Sequence, residues 1–280
     1  MNFLQLINWA REKYQVKDDL IIFEVIFYLS SKVKNKIQFT KNRNTKIDFN
    51  LAMFTKLLDD YYLHNKPLGH ITKSTIFAKL PLDLYKGVLA PRDETELLCK
   101  YVIDILKKDR KLIYGADLCC GSGNIAVAVK KNCAFIDMTA IDINETAVMN
   151  TKHNAKKNKV VINVIKGDFY QTLIKKHLRF DLLISNPPYV SNDELDKSML
   201  KYEDKKCFVN SKGDLFFYET LINNHKKIVN DEKHFLLAFE IGYNQKKRIQ
   251  KLLSKQKLLK FAQFYKDLNN HDRILIIYKN

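Results

Sequence analysis

In the N-terminal part of the chain the apolar residues fall three and four apart: Phe3, Leu4, Ile7, Trp9 and Ala10, then Leu20, Ile21, Phe23, Val25, Ile26 and Leu29. After a polar, lysine-rich stretch over residues 32–46 the same spacing returns in Leu51, Phe54, Leu57, Leu58 and Tyr61. Such spacing gathers the apolar side chains on one face, so it predicts three amphipathic helices joined by a connector, together a small bundle. Asp18 or Asp19 is the candidate cap of the second helix. Pro67 breaks the pattern, and the apolar runs around Pro81 in residues 76–89 predict a short hairpin. The expected division is therefore a helical unit over residues 1–75, a hairpin and linker over 76–92, and a larger domain over 93–280.

From residue 111 the texture changes to short β-rich runs at 112–118, 135–141, 160–165, 181–185 and 235–239, separated by helical stretches. Strands alternating with helices imply a parallel sheet wound on both faces. The chain finishes with runs at 258–265 and 274–278 around a polar turn, close enough in sequence to pair antiparallel. The predicted fold class is α/β: a doubly wound, mostly parallel seven-stranded sheet with an antiparallel C-terminal hairpin, preceded by the helical bundle.

Four sheet-edge segments carry candidate chemistry. After the first strand come Asp117, Leu118, Cys119, Cys120, Gly121, Ser122, Gly123 and Asn124. A glycine-containing turn between strand and helix lets a ligand approach the backbone closely, and Asp117 can receive a cationic amino group. Asp142 ends the next strand, about 20 residues further on, where an acid can accept from both hydroxyls of a ribose; capping the following helix is its bland alternative, a task Asn144 can perform instead. Asp168 and Phe169 follow the third strand and suit an adenine, the acid accepting from the exocyclic amine and the ring packing on its face. After the fourth strand stand Asn186, Pro187, Pro188 and Tyr189. The two prolines make this loop rigid. The Asn186 side-chain oxygen and the Pro187 carbonyl can both accept from a single NH₂ group, and Tyr189 can cover a planar group held there.

Bulk composition narrows the classes. The chain has 280 residues, 46% of them hydrophobic, enough for two unequal domains. No apolar run reaches the roughly 18 residues of a membrane span, and the first ten residues lack the pattern of a secretory signal, so a cytoplasmic protein without membrane contact is expected. The five cysteines form no metal-ligand pattern, and no metal is expected. A net charge of +17 is compatible with a polyanionic partner without requiring one. A monomer is the default.

These motifs resemble those of the class I S-adenosylmethionine-dependent methyltransferases, and residues 186–189 resemble the target-nitrogen motif shared by amino-adenine, amino-cytosine and glutamine methyltransferases. A more specific resemblance lies upstream. Residues 87–98, Gly-Val-Leu-Ala-Pro-Arg-Asp-Glu-Thr-Glu-Leu-Leu, are similar to the signature of the peptide chain release factor N5-glutamine methyltransferase family. Pro67-Leu68, Gly213-Asp214-Leu215 with Phe217-Tyr218, Glu240-Ile241-Gly242 with Gln245, and Asp267-Leu268 with Asp272-Arg273 agree with it, so the similarity covers essentially the whole chain. The resemblance implies methyl transfer from S-adenosylmethionine to the side-chain nitrogen of the glutamine in the Gly-Gly-Gln loop of a class-1 release factor, which the N-terminal unit would help bind. Asn186, Pro187 and Tyr189 would be catalytic and, with Pro188, would hold the glutamine. Asp117, Cys119, Cys120, Gly121, Ser122, Gly123, Asp142, Asp168, Phe169 and Asn186 would bind the cofactor. Three departures stand out: Cys119 replaces a glycine of the cofactor loop, Asp93 replaces a proline, and Lys73 stands where glycine is frequent. An adenine-N6 methyltransferase acting on DNA or RNA, and a non-catalytic protein of the same fold, are the alternatives.

Overall fold

The computed structural model describes residues 1–280, apart from the side chain of Met199. Two compact units divide the chain, Met1–Ser74 and Thr75–Asn280. In the first, α1 (Phe3–Tyr14) opens with a reciprocal cap: the Asn2 side chain accepts from the Gln5 amide while the Gln5 side chain accepts from that of Asn2. Its inward face of Phe3, Leu6, Ile7 and Ala10 shares one core with α2 (Leu20–Leu29) and α4 (Leu51–Tyr62). Asp18, not Asp19, accepts from the first amide of α2, at 2.9 Å from Leu20 N, while Asp19 takes the Arg11 guanidinium. The expected connector holds a further helix, α3 (Lys36–Asn42). It buries no residue, so no apolar periodicity betrayed it, and it starts because the Asn35 side chain accepts from Gln38 N. Beyond Pro67 one more turn follows, α5 (Leu68–Thr72).

The expected hairpin is present as β1 (Ser74–Phe77) and β2 (Leu80–Asp83). Its turn residues Ala78 and Lys79 both have positive φ, at 48° and 65°, the sense that matches strand twist in a two-residue turn. Next come α6 (Asp93–Lys108), β3 (Tyr114–Leu118), α7 (Asn124–Asn132), β4 (Asp137–Asp142), α8 (Glu145–Lys157), β5 (Asn163–Lys166), α9 (Gln171–Lys175) and β6 (Leu182–Ser185). The chain then runs through α10 (Phe216–Asn223), α11 (His225–Ile228), β7 (Phe235–Glu240), α12 (Lys246–Lys255), β8 (Ala262–Lys266) and β9 (Asp272–Lys279). The seven strands lie in the order β5-β4-β3-β6-β7-β9-β8; β9 runs antiparallel to both β7 and β8, and the remaining pairs are parallel. Several strands begin later than expected. Leu112, Ile136 and Leu258 are buried, yet they sit in the turns leading into β3, β4 and β8, because apolar character marks burial and not pairing.

Alternate residues of each central strand feed opposite layers. Leu182 and Ile184 of β6, Leu236 and Ala238 of β7, and Ile274 and Ile276 of β9 join α6 and α7 on one face. Leu183, Leu237 and Phe239, and Leu275 and Ile277, join α10 and α12 on the other. A strand buried on both faces must read as a continuous apolar run, as 182–184 and 235–239 do. α6 contributes Leu98, Val102 and Leu106, one per turn, each fully buried and each stabilising by about 1.5–3 kcal/mol. No helix among the described residues is long and apolar enough to cross a membrane.

Candidate active site

The chain builds the sheet outward from β3 to β5 on one side, then returns to lay β6 on the other side of β3. Loops diverge at that reversal, and a crevice opens beyond the carboxyl ends of the strands. A cavity of about 720 Å³ lies there. The structure brings most of the expected site residues onto its wall: Cys119, Cys120, Gly121 and Ser122 from the β3 loop, Asp142 from β4, Asp168 and Phe169 beyond β5, and Asn186 and Pro188 beyond β6. Asp117, Gly123, Pro187 and Tyr189 do not form part of the wall. Asp117 is fully buried; its Oδ2 accepts from Ala126 N at 3.0 Å, tying the first turn of α7, and its Oδ1 has no partner among the described residues. Gly123 has φ +76° and leads into α7, where a side chain would strike Thr151.

Asp142 is held by two backbone amides, Gly121 N at 2.9 Å and Asn144 N at 2.8 Å, so this carboxylate locks the glycine turn to the next strand. Asn144, not Asp142, caps α8, accepting from Thr146 N. Burial pushes the Asp142 carboxyl above the ordinary aspartate range. Burial also raises the Cys119 and Cys120 thiols above the ordinary cysteine range. Asp168 accepts from Tyr170 N and Gln171 N, and Phe169 packs 4.7 Å from Phe217, ring centroid to ring centroid.

Several residues that line or brace the cavity were not singled out individually in the sequence. Residues 204–207 and 209 line the cavity, and this segment is fastened to residues 87–92: Gly87 N donates to Tyr202 O, Asp204 N to Gly87 O, and Ala90 N to Glu203 Oε1 at 2.7 Å. Arg92 completes the clasp on the buried Glu203, 3.1 Å from its Oε2. Thr95 stands on the cavity wall beside Asn186, and the buried Glu240 lies off that wall. The Asn186 Nδ2 donates to Thr95 Oγ1 at 3.0 Å, Thr95 donates to Glu240 Oε2 at 2.6 Å, and Tyr189 donates to Glu240 Oε1 at 2.8 Å. Arg273 in turn donates to the Tyr189 hydroxyl at 3.2 Å and pairs with Asp267. Arg92, Thr95 and Glu240 were visible only as parts of the family-like segments, and no local signal marked Glu203.

The strand order, the glycine turn and the carboxylates along the sheet edge define a class I methyltransferase domain. Residues 93–233 match the methyltransferase small domain family. Among curated relatives, the release factor glutamine methyltransferase of Mycoplasma mycoides is 36% identical over 226 residues, 78% of each chain. That of Fusobacterium nucleatum is 31% identical over 273 residues, 96% of this chain and 75% of the relative. The chain belongs to the release factor glutamine methyltransferase family. Among solved structures, the hMettl16 catalytic domain in complex with an RNA hairpin superposes with a TM-score of 0.56 at 12% identity, covering 98% of this chain and 91% of that one, a likeness of fold.

Proposed function

We propose that the protein transfers a methyl group from S-adenosylmethionine to the side-chain amide nitrogen of the glutamine in the Gly-Gly-Gln loop of class-1 peptide chain release factors, in the cytoplasm. One observation carries this reading: Asn186, an amide-reading side chain on a rigid loop, opens onto the same cavity as Asp142 and Asp168. The cavity has the size of a small-molecule site and combines an apolar wall with a few polar groups, which fits the cofactor. In this assignment Asp142 accepts from the ribose, Asp168 from the adenine amine, Phe169 packs on the base, and residues 119–123 pass along the methionine moiety. The buried, unpartnered Asp117 Oδ1 is the acceptor that an ammonium group would satisfy. When bound, the cofactor supplies a methyl group on a positively charged sulfur.

The protein's own contribution is orientation. An amide nitrogen is a weak nucleophile because its lone pair is delocalised. Asn186 Oδ1 and the Pro187 carbonyl accept from its two N–H bonds, fixing it toward the methyl group and polarising it. Tyr189, anchored through its hydroxyl, flanks the planar amide, and Pro188 closes the pocket beside it. The surplus proton leaves the nitrogen for solvent. The test is mass spectrometry of a purified release factor after incubation with the protein and S-adenosylmethionine. A single methyl group mapped to the Gly-Gly-Gln glutamine is expected. An unmodified factor, with methyl groups appearing on nucleic acid instead, would overturn the reading.

A further inference from the structure

A side-chain amide can face either way, and only one orientation of Asn186 offers an oxygen to a substrate NH₂ group. The bonds behind Asn186 decide which. Arg273 has only donors, so the Tyr189 hydroxyl accepts from it and gives its single proton to Glu240 Oε1. Burial raises the Glu240 carboxyl, while the Thr95 and Tyr189 hydroxyls and the Arg273 charge favour its ionised form; as a carboxylate it has only acceptors, so the Thr95 hydroxyl gives its single proton to Oε2. Thr95 Oγ1 is then left as an acceptor, and the group facing it must be the Asn186 NH₂, 3.0 Å away. Asn186 Oδ1 consequently points away from this network.

We infer that Glu240 and Thr95 are positioning residues for methyl transfer: through one-way hydrogen bonds the buried carboxylate sets the polarity of Asn186 and, with its other oxygen, anchors Tyr189. The inference rests on the reading that Asn186 holds the substrate amide. Glu240 is 2% exposed and lies at the carboxyl end of β7; Thr95 is 1% exposed in the first turn of α6. Glu240 does not line the cavity, and Thr95, which does, has its hydroxyl committed to Asn186 and Glu240, so both act through the residues they hold. The network joins α6, the loop after β6, the end of β7, and β9, four segments far apart in sequence. The position of Thr95 three residues after Arg92 also places the clasp on Glu203 and the positioning network on one short segment.

Three variants test the inference in the full-length protein. Thr95→Val keeps the shape but removes the hydroxyl. Glu240→Gln keeps the shape but supplies an NH₂ that can donate to Thr95 and turn the sequence of donors round. Thr95→Ser keeps the hydroxyl and serves as the rescue. Thr95→Val and Glu240→Gln should each lower kcat on a release factor by about a hundredfold, the loss expected when a reacting group is misplaced. Cofactor affinity, read by calorimetry, should change less than about twofold, because the differential loss is confined to the nucleophile side. Thr95→Ser should restore most of kcat. A merely structural Thr95 would make Ser, which lacks the methyl group, as harmful as Val, and that outcome overturns the inference, as does normal turnover in Glu240→Gln. A second readout needs no substrate: the ¹⁵N-labelled side-chain amide of Asn186, assigned by its disappearance in Asn186→Asp, should lose its hydrogen-bonded proton shift in Thr95→Val. An unchanged resonance refutes the network even if the wild-type protein proves to methylate a different substrate, so the two failures can be told apart.

Discussion

Replacing Gly123 by alanine isolates what the glycine turn requires. With φ at +76°, any L side chain there is in the left-handed region, which disfavours it by roughly 1–2 kcal/mol. A Cβ would in addition lie 2.7 Å from Thr151 Cγ2, 2.9 Å from its Oγ1 and 3.0 Å from its Cα. Thr151 cannot swing aside cheaply, since its hydroxyl bonds Gly121 O at 3.1 Å and sits 3.3 Å from Cys120 Sγ, and its Cα belongs to α8. Overpacking of this kind adds about 1–3 kcal/mol. Gly121 is the matched control: its φ is +54°, but the nearest atom to a Cβ there is Val88 Cγ1 at 3.9 Å. Gly121→Ala therefore carries the backbone penalty alone. For a domain of this size each kcal/mol moves Tm by about 2–4 °C, so Gly123→Ala should melt roughly 2–12 °C below Gly121→Ala in scanning calorimetry. Adding Thr151→Ala removes two of the three close contacts and should recover part of the difference. Equal melting temperatures for the two glycine variants would refute the claim that α8 packs rigidly against this turn.

Asn186→Ala should leave cofactor binding largely intact while lowering methyl transfer by roughly two orders of magnitude or more, measured with radiolabelled cofactor; near-normal turnover would remove Asn186 from the chemistry. Lys73 ends α5 with φ at 54°, so Lys73→Gly should stabilise the protein by about 1 kcal/mol in urea unfolding. Asp48 is partly desolvated, which alone would raise its carboxyl, but bonds from Ser31 and Ser30 prevail and hold it at about 2. A carboxyl depressed on folding adds stability above the ordinary aspartate range and loses it as pH falls toward the folded value. The fluorescence of Trp9, the only tryptophan and part of the same core, should therefore report weakening on acidification between about pH 4 and 2, and Ser31→Ala should flatten that dependence.

The larger fold was legible because its signal is local. Runs such as 182–184 and 235–239 are apolar on both faces, the turns between strands carry glycine or aspartate, and those features occur in an order that permits one topology. Four strictly local motifs likewise each placed at least one residue on the cavity wall. The missing parts depend on residues brought together across the chain. Thr95 and Glu240 are 145 positions apart, and nothing near either one announces the bond between them. The three departures from the family pattern become intelligible only with dihedral angles. Cys119 and Lys73 both have positive φ, where glycine is favoured and a side chain is tolerated at a penalty, whereas Asp93 is the first residue of α6, where proline suits the backbone and an acid suits the helix dipole.

The clasp between residues 87–92 and 202–204 bears on the order in which the protein assembles. Its bonds join Ala90 and Arg92 to Glu203, 113 and 111 positions away. Closing a chain segment that long is entropically unfavourable until the strands between have already brought its ends together. The sheet must therefore condense first, and the clasp is among the last contacts to form and the first to be released in partial opening. Amide exchange at Gly87, Ala90 and Asp204 should then outpace that in β3, β6 and β7, so that folding leaves the binding pocket as the part of the native state nearest to its own unfolding.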